Sequence, residues 1–168
     1  MGSAPTTLGP VVEVREVVDV EDVDEALVAA IGRLLPQLSS SAAPATAASL
    51  AEIVSSPTTR LLVAVDGEEA DPAGAGRIVG TLTLAVFSIP SGVRAWIEDV
   101  VTDELARGRG VGEALTARAV ELAAGAGAKT LELTSRPSRE AANRLYARLG
   151  FERRETNVYR LVLEPPAR

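Results

Sequence analysis

The stretch that decides the fold is "VVTDELARGRGVGEALTARAVEL", residues 100–122. An apolar, strand-like run stops at Thr102, and a short acidic turn follows. Three glycines, Gly108, Gly110 and Gly112, then alternate with Arg109 and Val111 at the start of a helical pattern. Glycine weakens a helix by about 1 kcal/mol relative to alanine. A chain that places three of them here needs bare backbone at this spot.

Several readings compete. A dinucleotide-binding loop would read G-x-G-x-x-G, whereas this loop reads G-x-G-x-G. Glu132 stands about 20 residues on, as that motif wants, but only 56 residues follow Gly112, too few for the usual second half. No Lys-Ser or Lys-Thr follows the glycines, so a nucleotide P-loop fails. A plain turn needs one glycine, or two. The remaining reading is a pyrophosphate cradle at the mouth of a helix. There the N–H groups of the first turn point outward with partial positive charge. Glycine lets a phosphate approach that backbone, and Arg107 and Arg109 add cationic donors.

Working outward, residues 1–10 are Pro/Gly/Thr-rich and read as a disordered segment. One domain is expected over 11–165. "VVEVREVV" (11–18) reads as a strand. "DVDEALVAAIGRLLPQL" carries a helical stripe at Leu27, Ala30, Ile31 and Leu34, which Pro36 helps to end. A second short helix is expected near 47–55. Strands follow at 59–66, 78–88 and 93–102 as a meander, with a polar, turn-rich connection over 67–77. The glycine segment opens a helix with Val111, Leu115, Ala119 and Leu122 on one face. Gly125 and Gly127 stop it. "KTLELTS" (129–135) reads as a strand and "SREAANRLYARLG" (138–150) as a helix. "FERRETNVYRLVLEP" (151–165) reads as two short strands about Asn157. This order gives an α/β domain of the α+β type, with a mixed, mostly antiparallel sheet of six to seven strands and four helices.

The chain has 168 residues, 46% of them apolar but only 3% aromatic, so its core is aliphatic. The net charge of -6 speaks against a nucleic-acid partner, which needs a basic face. No cysteine or histidine occurs. Cys/His zinc sites, thiolate nucleophiles and histidine triads are therefore excluded, and no metal is expected. Acid–base chemistry falls to Asp, Glu, Tyr or Lys129. No signal peptide or membrane span is visible, and a cytoplasmic protein is expected.

"RGRGVG" fits the signature Q/R-x-x-G-x-G/A, and "NRLYARLGF" fits N-x-x-Y-x-x-x-G-F through Asn143, Tyr146, Gly150 and Phe151. In this element order, the chain resembles the GNAT family of N-acetyltransferases over roughly residues 11–164. Glu104 stands where the family often has proline. The resemblance implies the acyl-CoA N-acyltransferase fold, with acetyl-CoA as donor and an amine as acceptor. It implies a strand that splays from its neighbour at a bulge, so that Val100, Val101 and Thr102 offer backbone partners to the pantetheine arm, as an added strand would. The diphosphate then falls on Arg107, Gly108, Arg109, Gly110, Val111 and Gly112, where Arg109 and Val111 need contribute only main chain.

The resemblance also puts Asn143 on the CoA arm and Tyr146 near the thioester sulfur, where a phenol can protonate the leaving thiolate. Tyr146 also lies on the apolar stripe of its helix, so core packing is its competing role. For the base, Glu98 and Asp99 stand on opposite faces of their strand by alternation. Glu98 is preferred, because Trp96 on its face would desolvate it. Direct attack in a ternary complex is expected, since no cysteine can carry the acyl group. A non-catalytic acyl-CoA-binding sensor would keep the 107–112 loop without needing Glu98, Asp99 or Tyr146. Small amine, antibiotic, amino acid and protein N-terminus all fit as acceptors. Arg136, Arg139 and Arg144 could meet the adenosine 3′-phosphate or face solvent. A homodimer through the last strands is compatible with the resemblance.

Overall fold

The computed structural model describes residues 12–67 and 76–163. The segment expected to be disordered over 1–10, most of the polar connection expected over 67–77 and the expected end of the domain at 165 lie outside those residues. Strand β1 (Val12–Val17) leads through a short 3-10 turn at Val20–Asp22 into α1 (Glu25–Leu38). The Asp24 carboxylate accepts from Leu27 N at 2.8 Å and so caps the helix start. Pro36 lies inside the last turn, and α1 runs two residues past it to Leu38, so Pro36 does not mark the end. Helix α2 (Ala47–Ser55) starts on a reciprocal capping box between Thr46 and Ser49.

The meander is β2 (Thr59–Asp66), β3 (Arg77–Ile89) and β4 (Gly92–Thr102). Helix α3 (Val111–Gly125) crosses back to β5 (Leu131–Leu133), and α4 (Glu140–Arg148) follows. The sheet order is β1-β2-β3-β4-β5. The first four strands are antiparallel neighbours, and β5 runs parallel to β4. A parallel neighbour requires a crossover, which α3 supplies.

Each face of the sheet carries its own core. Leu62, Ala64, Leu82, Leu84, Ala95 and Ile97 pack with Val111, Leu115, Ala119 and Ala123 of α3. On the other face, Leu61, Val63 and Val65 pack with Leu27 and Ile31 of α1 and Leu50 of α2. Ala123, rather than Leu122, closes the buried stripe of α3. Gly80 of β3 lets α3 approach, since a Cβ there would stand 2.6 Å from Val111 Cγ1.

Where six to seven strands are expected, the described residues form five. The two strands expected over 151–165 are absent among the described residues, which end at 163. That segment has the β-branched pattern of a strand, but its backbone is in no ladder. Val158, Tyr159, Leu161, Val162 and Leu163 are each more than three-quarters exposed.

Candidate active site

The site begins with a change of register between β3 and β4. Thr83 pairs with Glu98 and Thr81 with Val101, so Leu82 alone faces both Asp99 and Val100. This is a β-bulge, and Asp99 bends the strand at φ 48, in the left-handed region. On its other edge β4 pairs with β5 only from Ala95 to Ile97. Beyond Ile97 the two strands part. Val100, Val101 and Thr102 then form a wall of a cleft of about 940 Å³. Its other walls are the 107–113 loop and helix start, the first turns of α4, and Gln37 and Leu38 at the end of α1.

The glycine loop divides its labour. Gly108 and Gly110 sit at φ 77 and φ 79, which L side chains adopt only with strain. A Cβ at either would meet no protein atom within 4 Å, so the space in front of them is open to a ligand. Gly112 serves packing, because its Cβ would come to 3.2 Å from Leu145 Cδ2 of α4. The first turn-closing bond of α3 runs from Ala114 N to Gly110 O at 2.9 Å. Gly110, Val111, Gly112 and Glu113 line the cleft, and their N–H groups precede that bond and lack helical acceptors, as at any helix start able to receive an anion.

The two loop arginines part company. Arg107 lines the cleft and makes no ion pair with another described residue. Arg109 turns inward, with Nη1 2.6 Å from Oδ2 of Asp66, a carboxylate only 1% exposed at the end of β2. The loop is further anchored by Asp103. This buried carboxylate is paired to Arg33 of α1 and, at 3.1 Å, to Arg77 of β3. It also accepts from Leu105 N. The Glu104 N–H donates to Gln37 Oε1 at 2.9 Å, which ties α1 to the same turn. Neither buried carboxylate carries a signal in the sequence, because each finds its partners on other elements.

Tyr146 reaches the cleft from α4, its ring edge-on to Phe151 with centroids 5.8 Å apart. Burial pushes its phenol above the ordinary value, and the positive charge of Arg139 opposes that rise. The phenol is therefore protonated at neutral pH and able to donate. Asn143 is not part of the cleft wall. Its amide donates to Arg136 O at 2.9 Å and closes the turn that leads into α4. Arg139 and Arg144 line the cleft, and Arg139 donates to Leu38 O at 2.9 Å across its mouth. Glu98 and Asp99 are both exposed. The Trp96 indole gives Glu98 a hydrogen bond of 2.8 Å rather than a desolvating wall. The bulge also breaks the simple alternation expected of Glu98 and Asp99.

The structure thus brings together Val100, Val101, Thr102, Arg107, Gly108, Gly110, Val111, Gly112 and Tyr146 around one cleft. Glu98, Arg109 and Asn143 do not line it. The model of the Acetyltransferase (GNAT) family matches residues 33–151. The chain belongs to that family. The match runs from within α1 to just past α4 and includes the whole cleft.

Solved structures agree with the GNAT assignment. A putative acetyltransferase from Agrobacterium tumefaciens is 25% identical, with a TM-score of 0.73 over 89% of this chain and 99% of that one. An acetyltransferase from Trypanosoma brucei is 27% identical, with a TM-score of 0.67 over 90% and 99%. An aminoglycoside acetyltransferase from an uncultured soil metagenomic sample shares the fold at 16% identity, with a TM-score of 0.72 over 90% and 97%. No curated protein matches the sequence. As a GNAT member the chain is an acyltransferase. Among the described residues, no group of three or more metal-ligating side chains could hold an ion, and no helix is long and apolar enough to cross a membrane.

Proposed function

We propose that this acyltransferase moves an acetyl group from acetyl-CoA to a primary amine, by direct attack in a ternary complex. The observation that carries the reading is the parting of β4 from β5 after Ile97, beside a glycine loop whose left-handed residues face open space. Acetyl-CoA supplies the activated acyl group. Backbone groups of Val100, Val101 and Thr102 pair with its pantetheine amides, as a sheet edge pairs with an added strand. Main-chain N–H groups from Gly108 to Gly112, with the Arg107 guanidinium, hold the diphosphate. Arg109 contributes main chain only, because its side chain is committed to Asp66. Asn143 acts on the CoA arm through the 136–139 turn that it closes.

Glu98 takes a proton from the acceptor ammonium, through water, and Tyr146 gives a proton to the departing thiolate. The exposed carboxylates of Glu98 and Asp99 beside the opening suit an acceptor that arrives as a cation. The protein works in the cytoplasm as a homodimer through residues 152–163, whose apolar side chains are left uncovered in one copy.

The test is thiol release. CoA-SH should appear when acetyl-CoA and a panel of primary amines are mixed with the protein. Tight acyl-CoA binding with no turnover for any amine would replace the enzyme with an acyl-CoA sensor.

A further inference from the structure

We infer that Trp96 is a positioning residue for the acceptor chemistry, its indole N–H fixing the Glu98 carboxylate at the open end of the β4–β5 pair. The inference rests on the acetyl-transfer reading above. Trp96 Nε1 donates to Glu98 Oε1 at 2.8 Å, and no other described residue is seen to hydrogen-bond to that carboxylate. Residues two apart on a strand share a face. Ala95 and Ile97 are buried under α3, so Trp96 and Glu98 face the other side of the sheet, the side of α1 and α2. Ile97 makes the last pair with β5, which makes Glu98 the first residue of β4 past it. At Asp99 the strand bends away.

An exposed glutamate on a strand end would otherwise spread over several rotamers, with up to about 2 kcal/mol of rotamer freedom to lose. A charge-assisted bond from a half-buried indole removes that spread. It occupies one carboxylate oxygen and leaves the other to accept from an ammonium or a water. The fixed carboxylate then stands beside the opening before the acceptor arrives, which is where preorganisation raises turnover rather than donor affinity.

Trp96 is also the only tryptophan in the chain, so its fluorescence reports on this contact without a label. Two measurements test the inference: emission spectra of the wild type and Glu98→Ala, which removes the acceptor, and steady-state kinetics of the wild type, Glu98→Gln and Trp96→Phe, the last of which keeps a ring but loses the N–H. The emission should change in Glu98→Ala while its circular dichroism does not. Trp96→Phe should lose about tenfold in kcat, the size of one hydrogen bond to a charged group, with KM for acetyl-CoA within about twofold. Identical emission from the wild type and Glu98→Ala would overturn the contact, whatever the enzyme does. Full kcat in Trp96→Phe alongside a slowed Glu98→Gln would overturn the role of Trp96 and leave the proposed function standing. Full kcat in Glu98→Gln would remove Glu98 from the mechanism and the role of Trp96 with it. Loss of acetyl-CoA binding in Trp96→Phe would overturn the inference in favour of a structural role.

Discussion

Replacing Arg109 by methionine separates two roles that the sequence alone gives to one residue. As a phosphate ligand, Arg109 would matter to CoA and little to stability. The structure instead puts its guanidinium 2.6 Å from a carboxylate that is 1% exposed, while Arg109 itself is 25% exposed. Breaking a buried pair by removing one partner costs about 3–5 kcal/mol, because a buried charge loses an opposite charge beside it. Partial exposure of Arg109 lets water screen the site, which puts the cost at the low end, about 3 kcal/mol. A chain of this size loses about 2–4 °C of Tm per kcal/mol, so Arg109→Met should melt about 6–12 °C below the wild type. The assay is thermal unfolding followed by far-ultraviolet circular dichroism. Adding Asp66→Leu should return most of the loss, since an apolar pair of similar size replaces the ions at little net cost. The reasoning fails if Arg109→Met melts within about 2 °C of the wild type yet binds acetyl-CoA more than about tenfold weaker. That pattern would turn the side chain outward, onto the diphosphate.

Other changes probe the rest of the site. Gly110→Glu puts a side chain and a negative charge into the open space before the helix start, and isothermal titration should find no acetyl-CoA binding; unchanged affinity would misplace the cradle. Tyr146→Phe should slow turnover by about tenfold or more with little change in acetyl-CoA affinity, the general-acid share of the rate; equal kcat would remove the phenol from the mechanism. Tyr146 also predicts a pH dependence. Its folded value is raised by burial, so its contribution to stability is complete below about pH 10 and is lost as the pH rises through the folded value. Urea melts at rising alkaline pH should therefore show a steeper decline in the wild type than in Tyr146→Phe; parallel declines would contradict the burial. For the homodimer, Leu161→Glu charges the exposed apolar segment and should yield monomers by sedimentation velocity, whereas a wild-type monomer, or an unaffected dimer, would refute that assembly.

The sequence carried the framework well where local pattern and packing agree. Strand β2 is delimited by its apolar run from Thr59 to Asp66, whereas the start of α2 rests on a capping box at Thr46 that only the structure shows. The glycine loop was legible because nothing else explains three glycines before a helix, and Gly108 and Gly110 do take left-handed conformations. A bulge in this strand was implied by the family resemblance, but its place at Asp99 was not legible in the residues. It arises from the register of β3 against β4, a property of two strands and not of "IEDV". The same holds for Asp66 and Asp103, whose arginines come from α1, β3 and the loop. Glu98 looked like a carboxylate that an aromatic neighbour would desolvate, because alternation reveals a shared face but not which edge of the indole is turned toward it. "VYRLVL" (158–163) has the composition of a strand, and composition does not supply a partner.

The most direct measurement is a crystal structure with CoA bound. The account predicts pantetheine amides hydrogen-bonded to the backbone of Val100, Val101 and Thr102, and diphosphate oxygens on main-chain nitrogens between Gly108 and Gly112. CoA bound elsewhere, or β4 and β5 paired along the whole stretch from Ala95 to Thr102, would contradict it.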